Sequence, residues 1–459
     1  LTVFKKVLIA NRGEIALRII RACRDLGIKT VAVYSTADRD SLHVRHADES
    51  YCIGNPAPSD SYLKRANIIT IAELTNTDAI HPGVGFLAED AQFAEICEAH
   101  KITFIGPSVQ NLMTMGDKVE AREAMSKAGL KLVPGSRNTR QGIRRSRKKG
   151  IVENDKDAAA LAEKVGYPVG IKAVAGGGGR GIRIAHNSMS LINLFHTAKA
   201  EAESSFGNGD VYIEKWIRDA RHIEVQVLGD HQGNLVHLGE RECSIQRKRQ
   251  KLVEEAPSPS ISDKVRQELL KVAVKAARSV GYVNAGTVEF IVDENDQFYF
   301  LEMNSRIQVE HTISEMITGI DIVKEQIRLA AGEPLGYGQS SIDFYGHAIE
   351  CRINAEDPNN DFSPSPGKIN RCLLPGGIGI RLDTHIYSGY VVPSYYDSLV
   401  GKLIAHGKDR TESIARMRRA LAEFEIDGIH TTIPLHTRIL RNSRFLKAEV
   451  YTNFLESRI

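Results

Sequence analysis

The chain has 459 residues, 42% hydrophobic and 25% charged, which is ordinary globular material with ample core and a length suited to about three domains. Its 60 basic and 57 acidic residues leave a net charge of +3, a balance that by itself points to neither a nucleic-acid nor a membrane partner. No apolar run reaches bilayer-spanning length and no leader pattern is visible at Leu1; the six cysteines (Cys23, Cys52, Cys97, Cys243, Cys351, Cys372) are scattered without a CxxC pair, so free thiols in a reducing compartment are expected rather than a disulfide frame or a zinc site.

The first unit, about residues 1–113, opens with a short apolar strand, Val7–Ala10, and a turn, Asn11-Arg12-Gly13. Apolar residues at 15, 16, 19, 20, 23 and 26 then follow a helical period that Gly27 stops, and Thr30–Ser35 is the next strand. This β-α-β pattern predicts a doubly wound parallel sheet. The first turn lacks GxGxxG, which argues against a dinucleotide fold binding NAD. Ala79–Gly83 reads as a strand end whose loop, running to Phe86, faces a ligand.

The middle unit spans about 114–335. A helix opens at Lys118 and runs through Ala128, and Tyr167–Ala173 is a strand carrying Lys172. Gly176-Gly177-Gly178-Gly179-Arg180-Gly181 follows. Four glycines without side chains let backbone N–H groups approach phosphate oxygens, although the P-loop spacing is absent. Lys172, just upstream, supplies a point charge to a phosphate. Val211–Ile217 is a strand whose Glu214-Lys215 pair is either surface charge or a clasp on an adenine edge. Arg221–Val227 and the run into Cys243 also alternate as strands, and Gln246–Lys251 is dense in hydrogen-bond donors.

The densest chemistry lies in 287–311. Thr287–Val292 and Gln297–Met303 flank the turn Asp293–Asp296, a hairpin that sets Glu289 opposite Glu302. Opposed carboxylates repel, and a divalent cation relieves them; hard oxygen ligands with an amide, Asn304, two residues on suit Mg²⁺ or Mn²⁺. Glu302, Asn304, Arg306, Gln308 and Glu310 then alternate with apolar or small residues. An extended strand over 302–310 puts all five on one face, roughly 26 Å long, as an active-site wall. In the last unit, about 336–459, Gly346–Asn354 is a strand carrying Arg352, Ser363–Gly367 is a turn-rich link, and Asp409–Phe424 is an amphipathic helix with Ile414, Met417, Leu421 and Phe424 on one face.

Taken together, GGGGRG, RHIEVQV, ERECSIQRKRQKLVEEAPSP, GTVEF and EMNSRIQVEH closely resemble biotin carboxylase, of the ATP-grasp superfamily, and KVLIANRGEIALRIIRACRDLGI, GHAIECRINAEDP and SPSPGKI belong to the same pattern, over about residues 4–457. The resemblance implies an α/β fold, α+β in part: an N-terminal doubly wound domain (1–113), an ATP-grasp domain (114–335) with a mobile lid at about 133–210, and a C-terminal mixed domain (336–459) that carries a homodimer interface. It implies that ATP phosphorylates bicarbonate to carboxyphosphate, whose breakdown to CO₂ and phosphate leads to carboxylation of biotin N1′. Lys118, Lys172, the 176–181 loop, Glu214, Lys215, Ile217, His222 and Gln246 are then implied to hold ATP, with Glu289, Glu302 and Asn304 holding Mg²⁺ or Mn²⁺. Lys251, Arg306, Gln308, Val309 and Glu310 are implied to hold bicarbonate, Glu310 as base, while Arg352 steadies the ureido oxygen and Val84 lies on the biotin side. Implied partners are a biotin carboxyl carrier protein and a carboxyltransferase subunit, since no biotinyl MKM motif or transferase domain is visible. The setting is acetyl-CoA carboxylase or, alternatively, a two-subunit pyruvate carboxylase, in the cytoplasm or a plastid stroma.

Several positions depart from the family pattern. Val84 stands for a tyrosine, Gly170 for a branched apolar residue that would stiffen the lid strand, Thr312 for proline, Ser314 for threonine and Arg249 for a histidine. Arg137–Gly150 is a longer, basic connection, expected to be a mobile loop that is either a neutral insertion or a dock for a polyanion. Two other readings stay open: a different ATP-grasp ligase, against which Arg352 and the RIQVEH run argue, and a non-catalytic ATP-binding regulatory subunit, motivated by Val84, Thr312 and Gly170.

Overall fold

The computed structural model describes residues 4–135, 150–174 and 182–458. The glycine run Gly176–Gly181 with Arg180, and the basic connection from Arg137 up to but not including Gly150, lie outside the described residues. Strands β1 (Lys6–Ile9), β2 (Lys29–Ser35), β3 (Glu49–Gly54), β4 (Ala79–His81) and β5 (Thr103–Phe104) form a wholly parallel sheet in the order β3-β2-β1-β4-β5, with helix α1 (Gly13–Asp25) crossing from β1 to β2. Consecutive residues Val7, Leu8 and Ile9, and Val31, Ala32 and Val33, are all fully buried, which explains why these strands read as apolar runs rather than alternating ones. The strand order reverses between β1 and β4, and their C-terminal loops meet there: Asn11 Nδ2 donates to the carbonyls of Pro82 (2.7 Å) and Val84 (2.8 Å).

Helix α2 (Lys118–Lys127) follows, then a smaller layer in which α3 (Asp155–Val165) and α4 (Ser188–Phe206) pack on the antiparallel sheet of β6 (Val169–Ala173), β7 (Ile182–Ala185) and β8 (Val211–Lys215), ordered β7-β6-β8. Strand β8 ends at Lys215, short of the predicted Ile217. Trp216 N–H still reaches the Pro168 carbonyl at 3.0 Å, but a proline has no N–H to return the bond. The space that Gly170 gives up in the central strand is filled by the Trp216 indole, whose Cε3 would lie 3.2 Å from any Cβ placed there.

The largest sheet is antiparallel. It joins β9 (Arg221–Gly229), β10 (Leu235–Arg247), β11 (Gln250–Ala256), β12 (Asn284–Val292), β13 (Phe298–Asn304), β14 (His347–Asn354), β15 (Ile380–Thr384) and β16 (Leu399–Gly407) in the order β13-β12-β9-β10-β11-β14-β16-β15. One hydrogen-bonded sheet thus runs from the predicted carboxylate hairpin to the strand carrying Arg352. Helix α5 (Asp263–Ser279) packs against its β9 and β10 region. Helix α6 (His311–Thr318) contacts β10 and β14, and α7 (Arg410–Glu423) covers β14 and β16. The apolar face predicted for α7 is buried as Ile414, Met417 and Leu421, with Phe424 just beyond, and Asp409 caps its first turn.

One prediction is corrected. The polar run from Glu302 is not an extended strand to Glu310. β13 stops at Asn304, residues 305–310 turn, and Glu310 stands at the N-cap position of α6. The ladder ends because its partners are already engaged: Gly286 on β12 gives its carbonyl to Gln226 Nε2 (2.9 Å), and Ser305 N–H donates to Glu89 (3.0 Å). All six cysteines are free, as expected.

Candidate active site

The ammonium of Lys251, on β11, is the centre of a buried cluster on the large sheet. It lies 2.5 Å from Glu224 Oε2, 3.0 Å from Glu289 Oε1, 3.1 Å from Gln308 Oε1 and 2.6 Å from Glu310 Oε1. Burial alone would neutralise this lysine, but Glu224, Glu289 and Glu310 raise its pKa well above the ordinary value and keep it charged. Glu310 is pushed up by burial. Lys251, Arg352 and Arg241 outweigh that and hold it well below the usual carboxylate range, so it is an ionised acceptor. Arg352 Nη2 donates to Glu310 Oε2 at 2.8 Å, and Arg352 Nε to Glu254 Oε1 at 2.6 Å.

The hairpin register is as predicted: Glu289 faces Glu302 across β12 and β13. Glu289 is the better satisfied of the two, accepting from Asn304 Nδ2 (2.8 Å) and Gln308 Nε2 (3.0 Å) and standing 3.0 Å from His222 Nε2. Burial opposes its ionisation, but Lys251 and His222 hold it well below the carboxylate range. Glu302 is raised instead, by burial and by Glu289, with Lys118 as a weaker compensating charge. Two near-opposed hard-oxygen side chains, one held ionised and one only weakly compensated, with the Asn304 amide adjacent, fit a divalent cation of the Mg²⁺ or Mn²⁺ type. His222, Glu224 and Glu289 also place one ligand atom each within 4.8 Å of one another.

The predicted nucleotide residues form a second group. Glu214 is buried, which removes the surface-charge alternative; it pairs with Lys172 Nζ at 2.8 Å and with Arg122 Nη2 at 2.5 Å. Lys215 Nζ donates to the carbonyls of Gly166 (2.9 Å) and Tyr167 (2.8 Å), and Ile217 is half-buried just past β8. Gln246 Nε2 contacts His222 Nδ1 at 2.8 Å, joining this group to the carboxylate hairpin. Lys118 is half-buried at the start of α2, and the glycine loop is outside the described residues.

The turn at 305–310 is pinned by Glu89 from the N-terminal part of the chain and by two side chains of the sheet. Arg306 Nε donates to Glu89 Oε2 (2.9 Å) and its Nη2 to Asn304 Oδ1 (3.2 Å), while the Val309 carbonyl accepts from Lys402 Nζ (3.0 Å). Val84, half-buried, packs on the apolar cluster that contains Ile307. Among the substituted positions, Ser314 accepts from Arg241 (3.0 Å) and the Thr312 hydroxyl donates to Glu350 Oε2. Lys248 and Arg249 form a left-handed two-residue turn, with Arg249 6.0 Å from the Trp216 ring centroid.

Sequence reasoning passed over Glu224, Arg241, Glu254, Glu89 and Arg122. Arg241 is fully buried and ties Glu224 (2.6 Å), Gln226 (2.8 Å), Ser314 and Thr287 together. The signal was present for Glu224: period two along Arg221–Val227 puts it on the face of His222 and Gln226.

A doubly wound entry domain, a small antiparallel layer and a large antiparallel sheet lined by carboxylates, lysines and arginines define an ATP-dependent ligase of the ATP-grasp fold. The chain belongs to the biotin carboxylase family: "Biotin carboxylase, N-terminal domain" matches residues 3–112, "Carbamoyl-phosphate synthase L chain, ATP binding domain" residues 117–337, and "Biotin carboxylase C-terminal domain" residues 350–457. It is 56% identical over 454 residues to biotin carboxylase 1 of Bacillus subtilis, covering 99% of this chain and 98% of that protein. It is 52% identical over 453 residues to a pyruvate carboxylase subunit of Methanothermobacter thermautotrophicus, covering 99% and 90%. Among solved structures it is similar to the biotin carboxylase–βγ-ATP complex from Campylobacter jejuni, with a TM-score of 0.93, 47% identity and coverage of 99% and 98%. It is equally similar to the biotin carboxylase domain dimer of Hydrogenobacter thermophilus 2-oxoglutarate carboxylase, solved with MgADP, ADP and bicarbonate, with a TM-score of 0.93, 50% identity and coverage of 99% and 98%. The chain is a biotin carboxylase enzyme.

Proposed function

We propose that this chain carboxylates biotin on a carrier protein through carboxyphosphate, as the biotin carboxylase subunit of an acetyl-CoA carboxylase, with a two-subunit pyruvate carboxylase as the second setting. The observation that carries the residue assignment is the placement of Glu310 between Lys251 (2.6 Å) and Arg352 (2.8 Å). An ionised carboxylate flanked by two cations takes a proton from bicarbonate at neutral pH. Lys251, Arg306, Gln308 and the backbone at Val309 orient that anion. Lys172, Lys215, Glu214, Lys118, Ile217, His222, Gln246 and the glycine loop 176–181 seat ATP. Glu289, Glu302 and Asn304 hold the divalent cation, which supplies charge neutralisation to the transferring phosphoryl group. Phosphoryl transfer asks mainly for position and charge, and these side chains provide both. Arg352 steadies the negative ureido oxygen of biotin, since a guanidinium keeps its charge in a buried site. Val84 lies on the biotin side.

The setting is supported by relatives bearing both names, at similar identity. We assign the units as 1–113, 114–335 with a lid at about 133–210, and 336–459, and take the working form to be a homodimer that meets a carrier and a carboxyltransferase subunit. No helix among the described residues is long and apolar enough to cross a membrane. Relatives include chloroplastic proteins, and we place this chain in the cytoplasm or a plastid stroma.

The test is phosphate release from Mg-ATP with and without bicarbonate and free biotin. Release that requires both is expected. Release with bicarbonate alone would mean that carboxyphosphate forms but that the biotin side, where Val84 lies, is impaired or needs its carrier protein, and bound ATP with no release would overturn the proposal.

A further inference from the structure

Behind Arg352 lies a second carboxyl pair, Glu254 with Glu350, whose second member has no part in the site as described. Glu254 on β11 and Glu350 on β14 are directly opposed in the sheet register, and both are fully buried. Opposed ionised carboxylates in a buried sheet are unfavourable. Glu254 Oε1 accepts from Arg352, and Glu350 Oε2 accepts from the Thr312 hydroxyl, the residue at which this chain departs from the family proline. The other oxygen of each, Glu254 Oε2 and Glu350 Oε1, is buried without a hydrogen-bond partner. A hydrogen shared by two facing carboxyls satisfies one acceptor on each.

We propose that Glu254 and Glu350 share one proton, carried on Glu350 Oε1, and that Glu350 and Thr312 are thereby positioning residues for Arg352. The chain of bonds then runs Thr312 O–H to Glu350, Glu350 O–H to Glu254, Arg352 to Glu254 and to Glu310, and Lys251 to Glu310. With the proton in place, Arg352 has one negative charge behind it and one in front. Without it, a second negative charge behind draws the guanidinium away from Glu310 and from the oxygen it is to steady. The groups facing the pair are Arg352, Lys251 from β11, Glu310 and Thr312 at the start of α6, and Lys402 from β16. Their balance agrees with the proton. Burial raises Glu254 to about 7 against the pull of Arg352, and burial beside Glu254 raises Glu350 well above the carboxylate range against Lys402, Arg352 and the Thr312 hydroxyl. Because Thr312 donates to Glu350, it favours the ionised form and lowers the pH at which the proton leaves.

The inference rests on the biotin-side role given to Arg352, so the experiment separates the two. kcat/KM for free biotin is measured against pH for the wild type, Glu350→Gln, Thr312→Val and Arg352→Ala, with KM for ATP followed in parallel. The wild type should fall by roughly ten- to a hundredfold on the alkaline side as Arg352 is displaced. Glu350→Gln, a permanently neutral isostere, should lack that fall, and Thr312→Val should move it to higher pH, with the KM for ATP flat. The same fall at the same pH in both variants overturns the proposal. If Glu350→Gln folds poorly, Thr312→Val alone decides, and an unmoved fall overturns it. Wild-type biotin turnover in Arg352→Ala overturns the role of Arg352 and this proposal with it, whereas lost turnover there with both falls unmoved overturns this proposal alone.

Discussion

Glu310 is prepared for its work by charge rather than by solvent exposure. Its carboxylate is buried, and three cations keep it ionised where burial would protonate it. Glu310→Gln keeps the shape and removes the proton acceptor. Biotin-dependent turnover should fall at least about a hundredfold, while the ATP dissociation constant stays close to that of the wild type; calorimetric ATP binding beside a phosphate-release assay checks both. Arg241 does a different task. It makes four hydrogen bonds that fix Glu224, Gln226, Thr287 and Ser314, with no exposed surface. Arg241→Met fills similar volume but takes from Glu224 its closest guanidinium partner, so a stability loss of about 3–5 kcal/mol is expected from urea unfolding. Glu310 and Arg352 were legible because they stand in long ordered motifs. Arg241 was not: Glu240-Arg241-Glu242 reads equally well as a solvated strand face, and only the packing around β10 shows that all three charges are buried.

At the scale of elements, the hairpin of β12 and β13 was legible down to its register, because a short polar turn between two β-branched and aromatic runs leaves few ways to pair them. The continuation was misread. Alternating polarity over 302–310 is also produced by a turn whose polar side chains each meet a different partner: Glu89 for Arg306, and Glu289 with Lys251 for Gln308. Period alone does not separate that from a strand. Gly170 shows the same limit. Read alone, it weakens β6; in place, it makes room for the chain's one tryptophan. Gly170→Val would therefore overpack rather than stiffen the layer. A loss of about 1–3 kcal/mol is expected, with a shift in the emission of Trp216, which reports this contact without interference from a second indole.

Across the whole molecule, buried ion pairs join side chains from different elements. Arg12 grips Asp38 through Nε (2.7 Å) and Nη2 (2.8 Å), Tyr62 donates to the same carboxylate at 2.6 Å, and Arg12 lies 4.1 Å from the ring centroid of Tyr396, beyond β15. Arg18 of α1 reaches Glu315 of α6 at 2.9 Å, and Arg381 of β15 reaches it at 2.6 Å. Glu255 of β11 is held by His347 (2.9 Å) and Arg410 (2.7 Å). None of these pairings was legible, because a charged residue read by itself carries no sign of a partner that lies on another element. They set the acid stability. Burial pushes Asp38, Glu255 and Asp383 up, yet their cations leave all three below the ordinary carboxylate value. The folded state therefore favours the ionised forms. As pH falls below about 4, the unfolded chain takes up protons first and this stabilisation is lost. Asp38→Asn removes one such joint and leaves Arg12 buried without its counter-charge, at a cost of about 3–5 kcal/mol near neutral pH. Thermal unfolding followed from about pH 7 to pH 3 should show a lower Tm for the variant at neutral pH and a shallower decline in acid, so that the two curves approach each other as Asp38 would have been protonated. Parallel curves over that range would mean that the Arg12–Asp38 pair does not contribute to the acid sensitivity of the fold.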